Sequence, residues 1–220
     1  MNKAYTMENT NTSILKGIFI DLVNKYSTDI YKTEQLWLEI EENYSSEERY
    51  YHNLQHIQNM YSELELCKHQ LSDWDTILFS LFYHDIIYIS TEKDNEEKSA
   101  EKAAQSLALI NYPQINITTC KTHILATKTH SISTDNDTNL FTDADLSILG
   151  SDWNNYHTYS RRVRKEYSIY PDFLYNPGRK KVVEHFLDMD FIFKTNFFRD
   201  KYEVQARKNL LKELNELTAK

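Results

Sequence analysis

The stretch TILFSLFYHDIIYIS, residues 76–90, seats two ionisable side chains, His84 and Asp85, in a run dominated by Ile, Leu, Phe and Tyr. Apolar residues recur all round the cylinder such a run would form, which predicts a helix buried on every side. A carboxylate taken out of water without a partner costs several kcal/mol even after relaxation, so the pair must be satisfied inside the fold. Two arrangements do this: a buried polar pair bonded to neighbouring backbone or an arginine, or a metal site. Adjacent helical side chains diverge by about 100° yet can converge on one ion lying between them.

A helix buried on all sides needs other helices around it, and the remaining chain is suited to provide them. Three Gly and three Pro in 220 residues leave too little turn chemistry for a many-stranded β fold. The length fits one domain with a sizeable core. Ile14, Leu15, Ile18, Phe19, Leu22, Val23 and Tyr26 predict an amphipathic helix over 13–26 behind a cap at Thr12 or Ser13. A shorter helix is expected around Leu36, Trp37 and Ile40. SSEERYYHN then breaks the pattern before Asn53 caps a helix whose apolar face runs Ile57, Met60, Leu64 and Cys67. Ser72 or Asp73 starts the apolar helix, and Asp94 with Glu97 three residues on resembles a capping box. Further helices are expected near 117–129, 143–149, 153–168, 178–188 and 199–217. No repeat, linker or domain boundary stands out; SISTDNDTN, residues 131–139, reads as a flexible loop.

Composition narrows the function classes. The N-terminal residues carry no apolar signal-peptide core, and no apolar run nears the roughly 18 residues of a membrane span, so no membrane association is expected. Two cysteines, Cys67 and Cys120, suit a reducing compartment, and a cytoplasmic location is expected. A net charge of −8 argues against a nucleic-acid polymer as partner, because phosphate backbones are gripped by Lys and Arg. A small anionic substrate in a local positive pocket is compatible with it.

A metal at His84 and Asp85 needs further inward-pointing donors. His56 shares a helix face with Met60 and Leu64, so it looks into the core; His52 lies a turn earlier, at or before the helix start. In FTDADLSILG, Asp145 falls on the face of Ile148 and Leu149, whereas Asp143 sits about 200° round from it, near the expected helix start, as a cap or orienter. His56, His84, Asp85 and Asp145 make a mixed nitrogen and oxygen set suited to a divalent ion such as Mn, Fe, Co, Zn or Mg, with positions left for water. Such a site activates water and polarises phosphoryl oxygen.

The order His56, then His84-Asp85, then Asp145, with YHNLQHI, FYHDIIY, DNEEKSA, TDADLSILG, RKEY, PGRKKV and ARKNLLKEL around it, resembles the HD-domain superfamily of metal-dependent phosphohydrolases. The likeness is to the branch described as predicted metal-dependent HD phosphohydrolases and spans roughly residues 35–215. It implies an all-α, HD-domain-like helical bundle around a metal, a single HD-type domain over 1–220 with the N-terminal helix packed on the core, and hydrolysis of a phosphoester or phosphoanhydride. The guanosine-tetraphosphate hydrolases of the superfamily carry an acidic pair after the His-Asp, where HDIIYIS has Ile86, Ile87 and Tyr88. That departs from their substrate.

Other residues are then assigned around the ion. Glu96 shares a face with Ala100, Ala103 and Leu107 and is expected as the inward general acid or an orienter, the alternative being a helix-start charge favoured by the dipole. His130 is expected to handle a proton or meet substrate phosphate. His123, seven residues earlier and on one face with it, reads either as a second-metal ligand or as a surface histidine. Cys67, His69, Cys120 and His123 lack the spacing of a zinc site. Arg164 and Arg179 resemble arginines of the branch and are expected to clamp phosphate, with His52 and Asn53 also at the substrate; Arg161 and Arg162 read as solvated. The expected activity is hydrolysis of a small phosphorylated metabolite, most plausibly a nucleotide, by metal-activated water at one ion. The alternatives are a diiron oxygenase of the same superfamily and a non-catalytic nucleotide-binding or interaction protein.

Overall fold

The structure, a computed structural model, describes residues 2–219, with side chains from residue 12 onward. Ten α-helices and two short 3-10 turns make up its regular structure, with no strand among the described residues, so the chain is all-α. It packs as two compact units, Met1–Ser131 and Ile132–Lys220. The division falls at the start of SISTDNDTN. Only the first part of that stretch is loop: Asp135 accepts the N–H and the hydroxyl of Thr138, and helix begins at Asn136.

The first unit holds α1 (Asn2–Val23), α2 (Ile30–Tyr44), α3 (Leu54–Leu66), α4 (Trp74–Tyr83), α5 (Asn95–Leu109) and α6 (Gln114–Ala126). The apolar α4 is central and packs against α1, α3, α5 and α6, while α1 packs on α2, α3 and α4. Every α4 residue from Thr76 to Tyr83 is buried, and Phe82 meets Phe19 edge to face at 5.1 Å. Helix α1 begins well before Thr12 and Ser13, which therefore lie inside it rather than capping it. Asn53 and Asp73 do cap, accepting the N–H groups of Gln55 and Thr76 at 3.0 Å each.

Two local expectations change here. Helix α4 stops at Tyr83 instead of running to residue 90, because side chains of α5 offer the following backbone other partners. Ser99 Oγ accepts the Ile87 N–H and donates to its carbonyl, and the Asn95 amide bonds both the N–H and C=O of Ile89. The Asp94 capping box does not form: Asp94 sits at the N-cap position but pairs with Lys98, and Glu97 pairs with Lys128.

The second unit holds α7 (Asn136–Asp145), a 3-10 turn (Leu146–Gly150), α8 (Trp153–Glu166), α9 (Asp172–Asp188) and α10 (Asn196–Thr218). Helix α10 is its spine, packing against α7, α9 and the 3-10 turn. Gly150 lets the turn lie directly on α10, since a Cβ there would come within 2.5 Å of Tyr202 Cβ. Asp143 and Asp145 are at the end of α7, not at a helix start as the 143–149 reading expected. Helix α9 begins at Asp172, ahead of the start expected near 178, so Asn176 and Pro177 lie in its interior.

Candidate metal centre

Because Asn53 caps α3, His56 enters the helix on the same face as Met60 and Leu64, and all three are buried. His84 closes α4, its N–H still bonded to the Ser80 carbonyl. Its ring is fixed by a 2.9 Å contact between Nδ1 and the Leu81 carbonyl. A carbonyl only accepts, so Nδ1 carries the proton and the lone pair of the neutral ring is on Nε2. That nitrogen lies 3.2 Å from His56 Nε2 and 3.1 Å from Asp85 Oδ2, with His56 Nε2 and Asp85 Oδ2 4.0 Å apart.

Donors about 2.1 Å from one ion lie roughly 3.0–3.4 Å apart in octahedral or tetrahedral arrangements. The two shorter separations fall in that range, and the outer pair is somewhat wider. Three electron-rich atoms this close call for positive charge between them, either a proton or a cation. The backbone bond on the far nitrogen of His84 is the support that metal-binding imidazoles ordinarily have. The residues thus fit a metal ion, and the ring nitrogens of His56 and His84 both belong to a group of side chains that could hold one. The burial of the pair is less even than anticipated: His84 is 1% exposed, but Asp85 lies beyond the helix end with 16% of its side chain accessible.

The turn carrying Asp85 is held from α2 and the loop after it. Tyr44 Oη accepts the Asp85 N–H at 3.1 Å. Arg49, in the SSEERYYHN loop, donates Nη1 to the Asp85 carbonyl at 2.6 Å and Nη2 to the Ile86 carbonyl at 2.8 Å. Nothing in the sequence marks Arg49, because a loop residue has no periodicity to show which way it points. His52 stacks on Tyr88 with ring centroids 4.1 Å apart, which brings an aromatic pair beside the same turn. Asn53, expected at the substrate, accepts the Gln55 N–H as the α3 cap and donates to the Tyr50 carbonyl.

In the second unit, the roles of the two aspartates are partly exchanged. Asp143 is fully buried, and Asp145 is the half-buried one. Asp143 holds the segment that leads into α10, whose N-cap is Thr195: its oxygens accept the N–H groups of Lys194 and Thr195 and the Thr195 hydroxyl. Lys194 Nζ stands 3.4 Å away with its side chain 4% exposed. Burial pushes this amine below its usual range, against the opposing pull of Asp143.

Arg164 and Arg179 do not present an open fork. Arg164 donates to Asp172 and to the Tyr167 and Tyr170 carbonyls. Arg179 is buried and grips both oxygens of Glu213 at 2.9 Å. Both arginines expected to clamp phosphate are engaged in ion pairs within the second unit. Arg161 and Arg162 are exposed.

Glu96 is half-buried, with Lys128 Nζ 3.9 Å away, and Ala100, Ala103 and Leu107 on its face are buried. His130 lies beyond the end of α6 with φ of 50°, so it shares no helix face with His123. His123 is fully buried rather than on the surface. Its Nδ1 is 3.0 Å from Ser80 Oγ, whose one proton goes to the Thr76 carbonyl. His123 therefore donates through Nδ1. Burial pushes the Cys120 thiol up to about 12, and His69 is exposed.

No known protein-family model matches the chain, and no curated protein matches it.

Proposed function

We propose that this chain is a metal-dependent phosphohydrolase of the HD type, acting on a small phosphorylated metabolite, most plausibly a nucleotide. The observation that supports the reading most is the meeting of His56 Nε2, His84 Nε2 and Asp85 Oδ2 at the end of α4. The motif order adds Asp145 as a fourth donor. A bound divalent ion supplies a Lewis acid for a phosphoryl oxygen and a water that ionises near neutral pH.

The chain's own residues do the rest. His56 and His84 bind as neutral rings, and Asp85 adds the negative charge that favours a divalent cation. Glu96 takes the proton of the attacking water as its oxygen bonds to phosphorus, and returns it to the leaving oxygen as that bond to phosphorus breaks; His130 is the second candidate for this task. The stacked His52 and Tyr88 offer an aromatic face for a nucleobase. Arg164 and Arg179 are given no role in this reading, since both are paired with carboxylates within their own unit.

Phosphate release from nucleoside mono-, di- and triphosphates, measured with each of Mn, Fe, Co, Zn and Mg, tests the reading. Release that stops with a chelator and in His84→Ala, and falls about 10²- to 10⁴-fold in Glu96→Gln, is the expected result. Metal-loaded protein that releases no phosphate from any of them would overturn it. One observation favours a second reading, a diiron oxygenase: His123 is buried and protonated on Nδ1, the tautomer of an imidazole that binds metal through Nε2. Two ions per chain with oxygen uptake would identify that chemistry.

A further inference from the structure

We infer that Arg49 is a positioning residue for the metal donors, an inference that rests on the metal-site reading above. Arg49 is 9% exposed, and its guanidinium joins two segments that carry different donors. On one side it bonds the Asp85 and Ile86 carbonyls, which follow the end of α4. On the other, Nη1 reaches the His52 carbonyl at 3.3 Å, immediately before the cap of the helix that carries His56.

Two rings enclose the same cation. The guanidinium carbon is 4.9 Å from the centroid of Tyr44 and 5.8 Å from that of Tyr88. Tyr44 also takes the Asp85 N–H, so the peptide groups on both sides of Asp85 are held from outside its own turn. With φ and ψ of Asp85 constrained in this way, its carboxylate has little freedom except side-chain rotation. The separation between Asp85 Oδ2 and the two imidazoles then depends on Arg49 staying in place.

The planar fork is what allows one side chain to serve two successive carbonyls, and an ammonium cannot reproduce it. Residues that orient ligands in this way typically contribute about 10- to 100-fold to metal affinity. Arg49→Lys keeps the charge and most of the length, so it removes the fork alone. Tyr44→Phe keeps the packed ring and removes only the acceptor of the Asp85 N–H.

The test is titration of metal-free protein with Zn²⁺ and Mn²⁺, alongside circular dichroism and Tm of the metal-free forms. Arg49→Lys is expected to weaken binding about 10- to 100-fold in a protein of unchanged helix content, and Tyr44→Phe to weaken it about threefold to tenfold. If Arg49→Lys fails to fold, Tyr44→Phe decides alone. Wild-type affinity in the folded variants, whatever their Tm, makes these residues purely structural and overturns the inference. A wild-type protein that binds neither metal overturns the metal reading itself, and this inference with it.

Discussion

At His84 a single contact to the Leu81 carbonyl assigns the ring proton and turns Nε2 toward His56 and Asp85. His56 and His84 were legible in the sequence because each sits in an apolar pattern, and an inward histidine needs a reason. The relative burial of Asp143 and Asp145 was not legible. Both aspartates occupy one short segment, and which is buried depends on Lys194 and Thr195, far along the chain. Their separate roles can be measured. Asp143→Ala leaves a buried lysine and two N–H groups without their acceptor, and should destabilise the protein by about 3–5 kcal/mol. Asp145→Ala should change stability by less than about 1 kcal/mol while lowering metal content. Denaturant titration and elemental analysis of both variants check this; equal stability losses would contradict it.

At the scale of helices, the starts of α3 and α4 were marked in the sequence, whereas those of α1, α7 and α9 were not. Asn53, Asp73 and Asp152 cap as short polar residues should, because an N-cap acts through local geometry. The end of α4 was not visible, since it is set by Ser99 and Asn95 from another helix. Close packing is equally silent in the sequence. Gly150→Ala should cost about 1–3 kcal/mol, because the new Cβ meets Tyr202 and backbone. Gly17→Ala, with nothing within 4 Å of its Cβ, should stabilise α1 by about 0.5–1 kcal/mol. Thermal unfolding of both variants checks the contrast, and a fall in Tm for each would refute it.

The Arg179–Glu213 pair joins α9 to α10 and makes a pH-dependent prediction. Burial alone would push the Glu213 carboxyl up, but the Arg179 fork and the Tyr156 and Ser160 hydroxyls outweigh it and hold it below the usual range. A carboxyl depressed in the folded state contributes its full stabilisation above its unfolded pKa of about 4.3, and loses it as pH falls through the folded value. Glu213→Gln should therefore be less stable than wild type at pH 7 and lose less on acidification below about pH 4. Parallel acid-denaturation curves for the two proteins would remove Glu213 from this role.

For the whole molecule, the helical class followed from the scarcity of Gly and Pro and from helical spacing, and ten helices are what the described residues form. The division into two units did not follow, because the turn where it falls has the same Ser, Thr, Asp and Asn chemistry as a tight helix connection. Among the described residues no helix is long and apolar enough to cross a membrane. The central proposal is that His56, His84 and Asp85 hold a metal ion and not merely a shared proton. Elemental analysis of the purified wild type beside His56→Ala and His84→Ala tests this most directly. The account predicts one divalent ion per wild-type chain and almost none in either variant, at unchanged helix content; a metal-free wild type that cannot be loaded, or variants with full metal content, would contradict it.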